Sequence, residues 1–276
     1  MTRVAFQGRP GAYGEEAALG WFGPDAETVP ASSFAAVCAA VRDGDADAGV
    51  LPLENSLAGT VGDALDALAA TELQVVGEVL LPVRHLLLGP PGASVGSIRR
   101  VLSHWQALAQ CDRFLSAHGW ERVPVGDTAT AAAEVAERAD PTRAAIASRR
   151  AAQRHGLAVL AENVADGPAN VTRFAVVSAR AGQAMTDGPR STLLTFETVH
   201  QPGALVRALA VLANAGINLS RIESRPSGEA AWHYRFLVQL DGDATREPLA
   251  GALESLTAHV RSMRVLGSFV SRSLEA

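Results

Sequence analysis

Over the first 180 residues, short apolar runs rich in β-branched residues alternate with alanine-rich runs of helical spacing. This alternation is typical of βα units arranged around largely parallel sheets. Strands are predicted at Arg3 to Gln7, Ala48 to Leu53, Leu73 to Leu88, Arg99 to Leu102, Arg122 to Val125, Ala144 to Ala147 and Val171 to Val177. The run Leu73 to Leu88 is long enough to cross between two lobes. Helices are predicted at Phe34 to Val41 after Ser32 or Ser33, at Trp105 to Ala117 before Gly119, and at Ala129 to Arg138 after a cap at Thr128. The pattern indicates an α/β region.

A second pattern begins after Ala179 to Arg190, a stretch that loses periodicity, contains Gly, Asp and Pro, and is predicted to be a linker. Strands are predicted at Ser191 to Thr198, Ile217 to Glu223, His233 to Leu240 and Arg264 to Val270, and helices at Ala204 to Ala213 and Glu247 to His259. The order βαββαβ is that of a ferredoxin-like domain. We therefore expect two domains, 1–180 and 191–276.

The composition excludes several kinds of chemistry. All 24 basic residues counted as Lys+Arg are arginine. Without a lysine the chain cannot form a Schiff base, hold pyridoxal phosphate or supply the lysine of a phosphate-binding loop. The net charge is -5, and nothing in the sequence suggests a basic face that would bind nucleic acid.

The chain shows no membrane or export signal. No segment reaches the roughly 18 uninterrupted apolar residues of a membrane span, and the N-terminus enters a strand-like run without a secretory signal. We expect a cytoplasmic protein in which Cys38 and Cys111 are reduced core residues.

Two strand-to-helix junctions in the first half carry polar groups. GRPGAYGEEAA, from Gly8 to Ala18, is either a ligand loop or a plain β-to-α turn. LPLENSLAGT places Glu54, Asn55 and Ser56 at the carboxyl end of a strand, where open α/β sheets bind ligands, although these residues also suit a helix cap.

Two later junctions carry further polar groups. In VLSHWQALAQC, Ser103 and His104 end a strand, and Gln106 and Gln110 share one helix face. These polar groups at the start of a helix suit recognition of a carboxylate. Alternatively, His104 is a helix cap or a packed residue. In GPANVTRFAVV, Thr172 offers a hydroxyl, and Arg173 offers a guanidinium that can bind a carboxylate through two hydrogen bonds. Alternatively, Arg173 is an ordinary surface residue. The seven histidines are scattered without a metal-binding spacing, and no GxSxG motif occurs, so neither a metal site nor a serine hydrolase is expected.

Together these segments resemble the prephenate dehydratase family. The resemblance covers nearly the whole chain and rests on GAY, PLENS, SHxQALAQC, the DTA of Asp127 to Ala129, NVTRF, GALVRAL and NLSRIESRP, in that order. It implies two α/β lobes around a cleft, as in type 2 periplasmic binding proteins, followed by a ferredoxin-like βαββαβ (ACT) domain. The chain departs from the family at Trp105, where a proline is usual, and at Gly14 and Glu15.

The resemblance implies a carbon–oxygen lyase that decarboxylates and dehydrates prephenate to phenylpyruvate in phenylalanine biosynthesis, without cofactor or metal. Thr172 then donates to the departing hydroxyl, or only orients the proton or the substrate, because an unperturbed threonine is a poor acid. Arg173 is expected to bind a substrate carboxylate. The other expected active-site residues are Glu54, Asn55, Ser103 and Gln110.

Regulation is also implied by the resemblance. Phenylalanine binds between ACT domains in this family, which predicts feedback inhibition and a homodimer or homotetramer. The matching positions are Gly203, Ala204, Leu205, Val206, Asn218, Glu223, Ser224, Arg225 and Pro226. A physical argument supports Gly203, because the start of a helix offers free N–H groups to a carboxylate.

Two alternatives stay open at this stage. One is an arogenate dehydratase, acting on the aminated analogue of prephenate. The other is a non-catalytic amino-acid sensor of the same architecture, against which the intact Thr172 and Arg173 argue. No chorismate mutase segment precedes Met1, so we expect a monofunctional chain.

Overall fold

The computed structural model describes residues 1–167, 170–180, 188–227 and 233–274. These residues form two compact units. Unit 1 comprises Met1–Leu68, Val79–Phe174 and the C-terminal residues from Ser273, and unit 2 comprises Ala69–Glu78 and Ala175–Arg272. Most of the predicted linker, residues 181–187, lies outside the described residues.

The elements follow in chain order. The first part of the chain forms β1 (Arg3–Gln7), α1 (Tyr13–Phe22), β2 (Glu27–Ala31), α2 (Phe34–Arg42), β3 (Ala48–Asn55), β4 (Gly59–Thr60), α3 (Gly62–Ala69) and β5 (Gln74–Pro82). The middle part forms β6 (Leu86–Gly89), β7 (Arg100–Ser103), α4 (Trp105–Gln110), α5 (Asp112–His118), β8 (Glu121–Pro124), α6 (Thr128–Arg138), β9 (Arg143–Ala147), α7 (Arg149–His155) and β10 (Ala158–Ala161). The last part forms β11 (Val171–Ser178), β12 (Arg190–Glu197), α8 (Ala204–Asn214), β13 (Leu219–Pro226), β14 (Tyr234–Asp241), α9 (Leu249–Thr257) and β15 (Ser262–Ser273).

The first lobe of unit 1 is built on a sheet with the strand order β11-β3-β1-β2. β1 pairs in parallel with both β2 and β3, and the short β4 pairs antiparallel with the end of β3. Val4, Ala5 and Phe6 of β1 are fully buried, as expected for a central strand with both faces covered.

The second lobe of unit 1 is built on a sheet with the order β10-β6-β9-β7-β8. Leu86 and Leu88 of β6 pack in the cluster that includes α6 and α7, whereas Leu87 packs with Leu108 of α4 and Leu115 of α5. Successive strand residues point to opposite faces, so helices cover both faces of this sheet. The chain passes between the two lobes at residues 83–85 and again after β10.

Several predicted elements are wrong in detail. The run Leu73 to Leu88 is two strands in different sheets, broken after Pro82. The predicted helix from Trp105 is interrupted at Cys111, which has φ of −115° and ψ of 22°. α6 is capped by Asp127, whose carboxylate accepts from Thr130 N, and Thr128 is its first residue. The parallel pattern is also incomplete, because β6 pairs antiparallel with both β9 and β10.

Unit 2 has the antiparallel strand order β13-β14-β12-β15, with β5 next to β15. Leu194 and Phe196 of β12 pack with Leu212 of α8 and Leu253 of α9, so both helices lie on one face. Its element order from β12 to β15 is βαββαβ. The predicted fold class, a two-lobed α/β region with a ferredoxin-like domain, is confirmed. No helix among the described residues is long and apolar enough to span a membrane.

Candidate active site

A cavity of about 510 Å³ lies between the two lobes of unit 1. Side chains from both lobes and from the segments that connect them form its wall. The polar residues that line it are Gln7, Tyr13, Asn55, Thr60, His104, Gln106, His85, Gln110, Asp127, Thr128, Asn170 and Thr172. The cavity therefore combines many amide and hydroxyl groups with two histidines.

Three helices begin at this cavity. The residues at the starts of α1, α4 and α6 line it, among them Tyr13, His104 and Thr128. The N-terminus of a helix carries unpaired N–H groups and a partial positive charge, which favour an anion. The helix starts place partial positive charge at the cavity, which the carboxylate of Asp127, the cap of α6, partly offsets.

Asn55 and Thr172 meet at the centre of the first lobe's cavity wall. Asn55 ends β3 and Thr172 lies on the neighbouring strand β11. Asn55 Nδ2 donates to Thr172 Oγ1 at 2.9 Å and to Asn170 Oδ1 at 2.6 Å. Thr172 is only 8% exposed, so its hydroxyl is held in a buried and ordered position.

The polar contacts continue into the second lobe. Asn170 Nδ2 donates to Gln110 Oε1 at 2.9 Å, and His85 Nε2 lies 2.8 Å from the same oxygen. On its other side, His85 Nδ1 lies 3.0 Å from the hydroxyl of Tyr13. Gln110 from α4 is thus joined to both segments that connect the lobes.

Burial shifts the acid–base behaviour of this wall. Burial lowers the pKa of His85, partly opposed by its hydrogen bond with Gln110. Burial, with a smaller contribution from the negative charge of Glu16, raises the pKa of Tyr13 well above its ordinary value. At neutral pH, His85 is therefore uncharged and Tyr13 keeps its proton.

The structure brings together only some of the predicted active-site residues. Asn55, Gln110 and Thr172 line the cavity. Glu54 and Arg173 do not; Arg173 Nε lies 3.9 Å from Glu54 Oε2. Because successive strand residues point to opposite faces, Thr172 and Arg173 cannot both face the cavity. The expected direct contact of Arg173 with a substrate carboxylate does not fit this placement.

Ser103 is likewise away from the cavity surface. It is fully buried, and its hydroxyl donates to Ile146 O at 2.6 Å. That bond joins β7 to β9 within the second lobe, which explains a serine at the strand tip without a ligand.

Sequence reasoning missed several residues of the wall, among them Tyr13, His85 and Asn170. Asn170 directly precedes β11, and His85 directly precedes β6. A signal for both was present, since each is a polar residue at the edge of an apolar strand. Their convergence depends on the two connections between the lobes, which the strand pattern does not reveal.

The glycine loop before α1 contacts the second lobe. Gly11 has φ of +98°, and a Cβ there would lie 3.0 Å from the Cα of Ala151. Ser148 Oγ donates to Gly11 O at 2.9 Å. The close approach to α7 accounts for the glycine, so this part of the loop serves packing between the lobes.

Glu15 fixes the same loop from inside. Its carboxylate accepts from Gly11 N at 2.7 Å, from Thr28 Oγ1 at 3.0 Å and from Arg150 Nε at 2.8 Å. Burial raises the pKa of Glu15, but the hydrogen bonds from Arg150, Gly11 and Thr28 outweigh burial, so the pKa lies below its ordinary value. The buried carboxylate is ionised and ties α1 to α7.

A second cavity, of about 180 Å³, lies at the start of α8 in unit 2. The segment Gly203 to Val206 lines it, together with His200, His233 and Tyr234. The imidazoles of His200 and His233 are stacked at a centroid distance of 5.7 Å. This cavity includes one of the two segments predicted to bind phenylalanine.

The other predicted effector residues lie elsewhere in unit 2. Asn218 donates to Asp241 Oδ2 at 2.9 Å and does not line the cavity. The segment Glu223 to Pro226 forms the end of β13, the outermost strand of the sheet, and does not line it either. Within one chain, the predicted effector residues do not form one site.

A metal site is not evident in the described part of the chain. No group of three or more His, Cys, Asp or Glu side chains there is arranged to hold a metal ion. Both cysteines are free and buried, and burial raises the pKa of Cys38 to about 11 and that of Cys111 to about 12.

Comparison with known proteins covers both regions. The prephenate dehydratase family model matches residues 4–182, and the ACT domain model matches residues 192–258. Arogenate dehydratase/prephenate dehydratase 1, chloroplastic, of Arabidopsis thaliana is 41% identical over 97% of this chain and 72% of its own length. A bifunctional N-acyl-homoserine lactone acylase/prephenate dehydratase of Komagataeibacter europaeus is 39% identical over 96% of this chain and 95% of its own length.

A solved structure agrees with these matches. The prephenate dehydratase of Arthrobacter aurescens, in complex with L-Phe, is 36% identical, covers 98% of this chain and 90% of its own, and superposes with a TM-score of 0.89. Sequence and fold point to the same assignment, so the chain belongs to the prephenate dehydratase family and carries an ACT domain.

Proposed function

We propose that the chain is a prephenate dehydratase that forms phenylpyruvate for phenylalanine biosynthesis. One observation carries the proposal: Thr172 Oγ1 accepts a hydrogen bond from Asn55 Nδ2 in the wall of the cavity. With a lone pair engaged in this way, the hydroxyl hydrogen remains available to donate into the cavity. That is the arrangement needed beside a departing hydroxyl.

The reaction needs little more than this. The bond between the ring and its carboxylate breaks, and carbon dioxide leaves. The electron pair enters the ring and expels the hydroxyl from the opposite carbon. The departing hydroxyl takes up a proton and leaves as water. Since aromatisation drives the reaction, the protein has only to hold the substrate and to stabilise the departing oxygen. The donor that we assign to that oxygen is Thr172.

The substrate's carboxylates are bound by neutral groups. Of the described residues that line the cavity, none is an arginine. The starts of α1, α4 and α6 and the amide of Gln106 supply the hydrogen-bond donors. Arg173 Nε lies 3.9 Å from Glu54 Oε2, and this contact joins β11 to β3 next to Thr172 and Asn55.

The cavity favours prephenate over arogenate. The ammonium group of arogenate calls for a carboxylate, and Asp127 is the acidic residue among the described cavity-lining side chains. Its two carboxylate oxygens each accept one hydrogen bond from Thr130, at 2.7 Å and 2.9 Å, so the carboxylate is oriented as the cap of α6 rather than by a ligand. We therefore place arogenate second, although the Arabidopsis relative carries both activities in its name.

Phenylalanine is the proposed feedback inhibitor, and a homodimer or homotetramer is the proposed assembly. The cavity at Gly203 to Val206 supplies one half of the effector site, and the segment Glu223 to Pro226 of a second copy supplies the other half, with Asn218 nearby. Two features support this arrangement: β13 is an edge strand, and Val206 and Tyr234 are 69% and 39% exposed. The relative bound to L-Phe has the same fold.

The proposal includes a division of labour along the chain. Residues 1–180 are the catalytic domain, residues 191–276 are the regulatory domain, and the enzyme is cytoplasmic. A sensor without activity would have no use for a hydroxyl held as Thr172 is held, which argues against that alternative.

A direct assay tests the proposal. Purified protein is incubated with prephenate and, separately, with arogenate, and formation of phenylpyruvate and phenylalanine is followed with and without millimolar phenylalanine. We expect phenylpyruvate from prephenate, arogenate turnover at least about tenfold lower, and inhibition by phenylalanine. The tenfold ratio corresponds to the loss of one good polar contact. No turnover of either compound would overturn the assignment, and faster turnover of arogenate would reverse the substrate preference.

A further inference from the structure

The hydrogen bonds of the cavity wall form one unbroken series from Thr172 to Tyr13. It runs through Asn55, Asn170, Gln110 and His85, and no contact in it is longer than 3.0 Å. An amide has one donating and one accepting end, so fixing one member fixes the direction of the rest.

Two backbone groups fix Asn55. Its Oδ1 lies 3.1 Å from the N–H of Leu57 and 2.9 Å from the N–H of Ala58. A backbone N–H can only donate, so this end of the Asn55 side chain is the oxygen. The other end is therefore the NH2 group, which donates to Asn170 and Thr172.

The direction then passes to the second lobe. Asn170 Oδ1 accepts from Asn55, so Asn170 Nδ2 is the end that donates to Gln110 Oε1. The same oxygen of Gln110 faces His85 Nε2 at 2.8 Å. An amide oxygen cannot donate, so the proton between them belongs to His85 Nε2.

The far side of His85 is compatible with this assignment but does not decide it. A neutral imidazole protonated at Nε2 has an accepting Nδ1, and the hydroxyl of Tyr13 lies 3.0 Å from it. Burial lowers the pKa of His85 and raises that of Tyr13, so the imidazole is neutral and the phenol retains a proton to donate. The Tyr13 hydroxyl also lies 2.9 Å from Arg84 O, which can only accept, so Arg84 O and His85 Nδ1 compete for its single proton.

We infer that His85 is a positioning residue of the dehydratase: as the Nε2–H tautomer it holds the Gln110 amide so that its NH2 group is presented to the substrate. Asn170 and His85 together occupy both acceptor positions of Gln110 Oε1. Gln110 and Thr172 are thereby left as two hydrogen-bond donors of the same wall. The role in turnover rests on the proposed function, whereas the tautomer does not.

The tautomer is tested on the whole chain without substrate. The protein is labelled with 15N-histidine, and long-range 1H–15N correlations identify the protonated nitrogen of each imidazole at pH 7.5. The His85 signal is assigned by its loss in His85→Gln, and the other six histidines serve as internal references. We expect a neutral ring protonated at Nε2. An Nδ1–H tautomer, or a doubly protonated ring, would overturn the inference.

Kinetics test the positioning role. The longer amide of His85→Gln can place a donor where Nε2 stood, whereas His85→Asn is too short and His85→Leu has no donor. We expect His85→Gln to keep kcat within about tenfold, the range of one hydrogen bond. His85→Asn and His85→Leu should lower kcat about 100-fold, as for a misplaced catalytic group, with a smaller change in KM.

A double variant separates positioning from simple destabilisation. If His85 acts through Gln110, then His85→Leu should lower kcat less than about threefold in a Gln110→Ala background. The positioning role would be overturned if His85→Leu lowered kcat as much in the Gln110→Ala background as in the wild type. It would also be overturned if His85→Gln were as slow as His85→Leu while equally folded by circular dichroism. If the wild-type chain does not convert prephenate at all, the proposed function fails, and the tautomer measurement alone decides the inference.

Discussion

In the cavity between the lobes, the polar side chains are joined to one another and anchored on the backbone of Leu57 and Ala58. In the cavity at the start of α8, the lining residues Val199, His200, Val206 and Tyr234 are exposed, and Val206 is 69% exposed. The side chains of the first wall are buried or half-buried, and their hydrogen bonds orient its donors before any ligand arrives. The second is lined by more exposed side chains.

The difference indicates what each cavity requires. Catalysis gains from donors that are already oriented, because they need no reorganisation during the reaction. A regulatory site gains from being incomplete, since a ligand that needs a second copy to complete it couples its own binding to subunit arrangement. We therefore expect substitutions in the first cavity to lower turnover, and substitutions in the second to alter only control by phenylalanine.

The largest expected effect is that of Thr172→Ala. Loss of the donor to the departing hydroxyl should lower kcat by at least about 100-fold. Thr172→Ser keeps the hydroxyl and should stay within about tenfold, which makes it the matched control. Steady-state assays with prephenate, with thermal unfolding to check the fold, decide the matter. Near-normal turnover by Thr172→Ala would show that Thr172 does not take part in the reaction.

Asn55→Asp should come next, and it tests the direction of the hydrogen bonds. Aspartate still accepts from Leu57 and Ala58, but it cannot donate to Thr172. The Thr172 hydroxyl would instead donate to the new carboxylate and turn away from the substrate. We expect kcat to fall about 100-fold, as when one oriented donor is removed. Activity equal to wild type at pH 7 would show that the direction of this contact is unimportant.

The regulatory cavity should respond to Gly203→Ala. Gly203 caps α8 with φ of +77°, a conformation that costs about 1 kcal/mol for a residue with a Cβ. Displacing this helix start should raise the phenylalanine concentration for half-inhibition about tenfold, the equivalent of one lost hydrogen bond to a carboxylate, with kcat unchanged.

Gly216→Ala is the matched control for that variant. Gly216 follows the other end of α8 and has φ of +71°, and a Cβ added there would meet nothing within 4 Å. The backbone strain is similar, but the effector cavity is not touched. If both variants weaken inhibition equally, or if Gly203→Ala lowers kcat, then the contrast between the two cavities fails.

The sequence predicted most elements because each strand or helix carries its own periodicity, as β1 and α8 show. It failed where a break depends on long-range pairing. The length of the run Leu73 to Leu88 indicates a crossing between lobes, but the run is apolar on both sides of Pro82, so the sequence does not show where one strand ends and the next begins. The exposed edge strand β2 and the short β10 also lack a strong pattern.

The same reasoning applies to the cavity. Asn55 is visible in the sequence as a polar residue that follows an apolar run. Gln110 and Thr172 lie in motifs beside strands, and the resemblance to the family implied their place in the active site. Side-chain direction is not visible at that level, which is why Arg173 was grouped with Thr172 although the two lie on opposite faces of β11. His85 belongs to the wall only because residues 83–85 connect the lobes.

Among the substitutions at or behind the first cavity, the smallest effect on turnover is expected from Glu15→Gln, which tests how far this cavity depends on the contact between α1 and α7. The folded-state pKa of Glu15 is lowered, so its stabilisation is fully present above the unfolded pKa of about 4.5 and is lost as pH falls through the lower folded value. At pH 7 the variant should be less stable by about 2 kcal/mol, because hydrogen bonds to a charged group are replaced by weaker ones.

Urea unfolding of both proteins at pH 7, 5 and 3.5 measures this difference, which should shrink with falling pH because protonated glutamate resembles glutamine. Glu27→Gln is the control: Glu27 is exposed and lies 4.0 Å from Arg3, so its loss should change stability by less than about 0.5 kcal/mol. Turnover of Glu15→Gln at pH 7 should fall only a few-fold, since no reacting group moves. A stability difference that grows as pH falls would contradict the ionised pair, and a turnover loss as large as that of Thr172→Ala would show that the cavity wall is not fixed by its own hydrogen bonds.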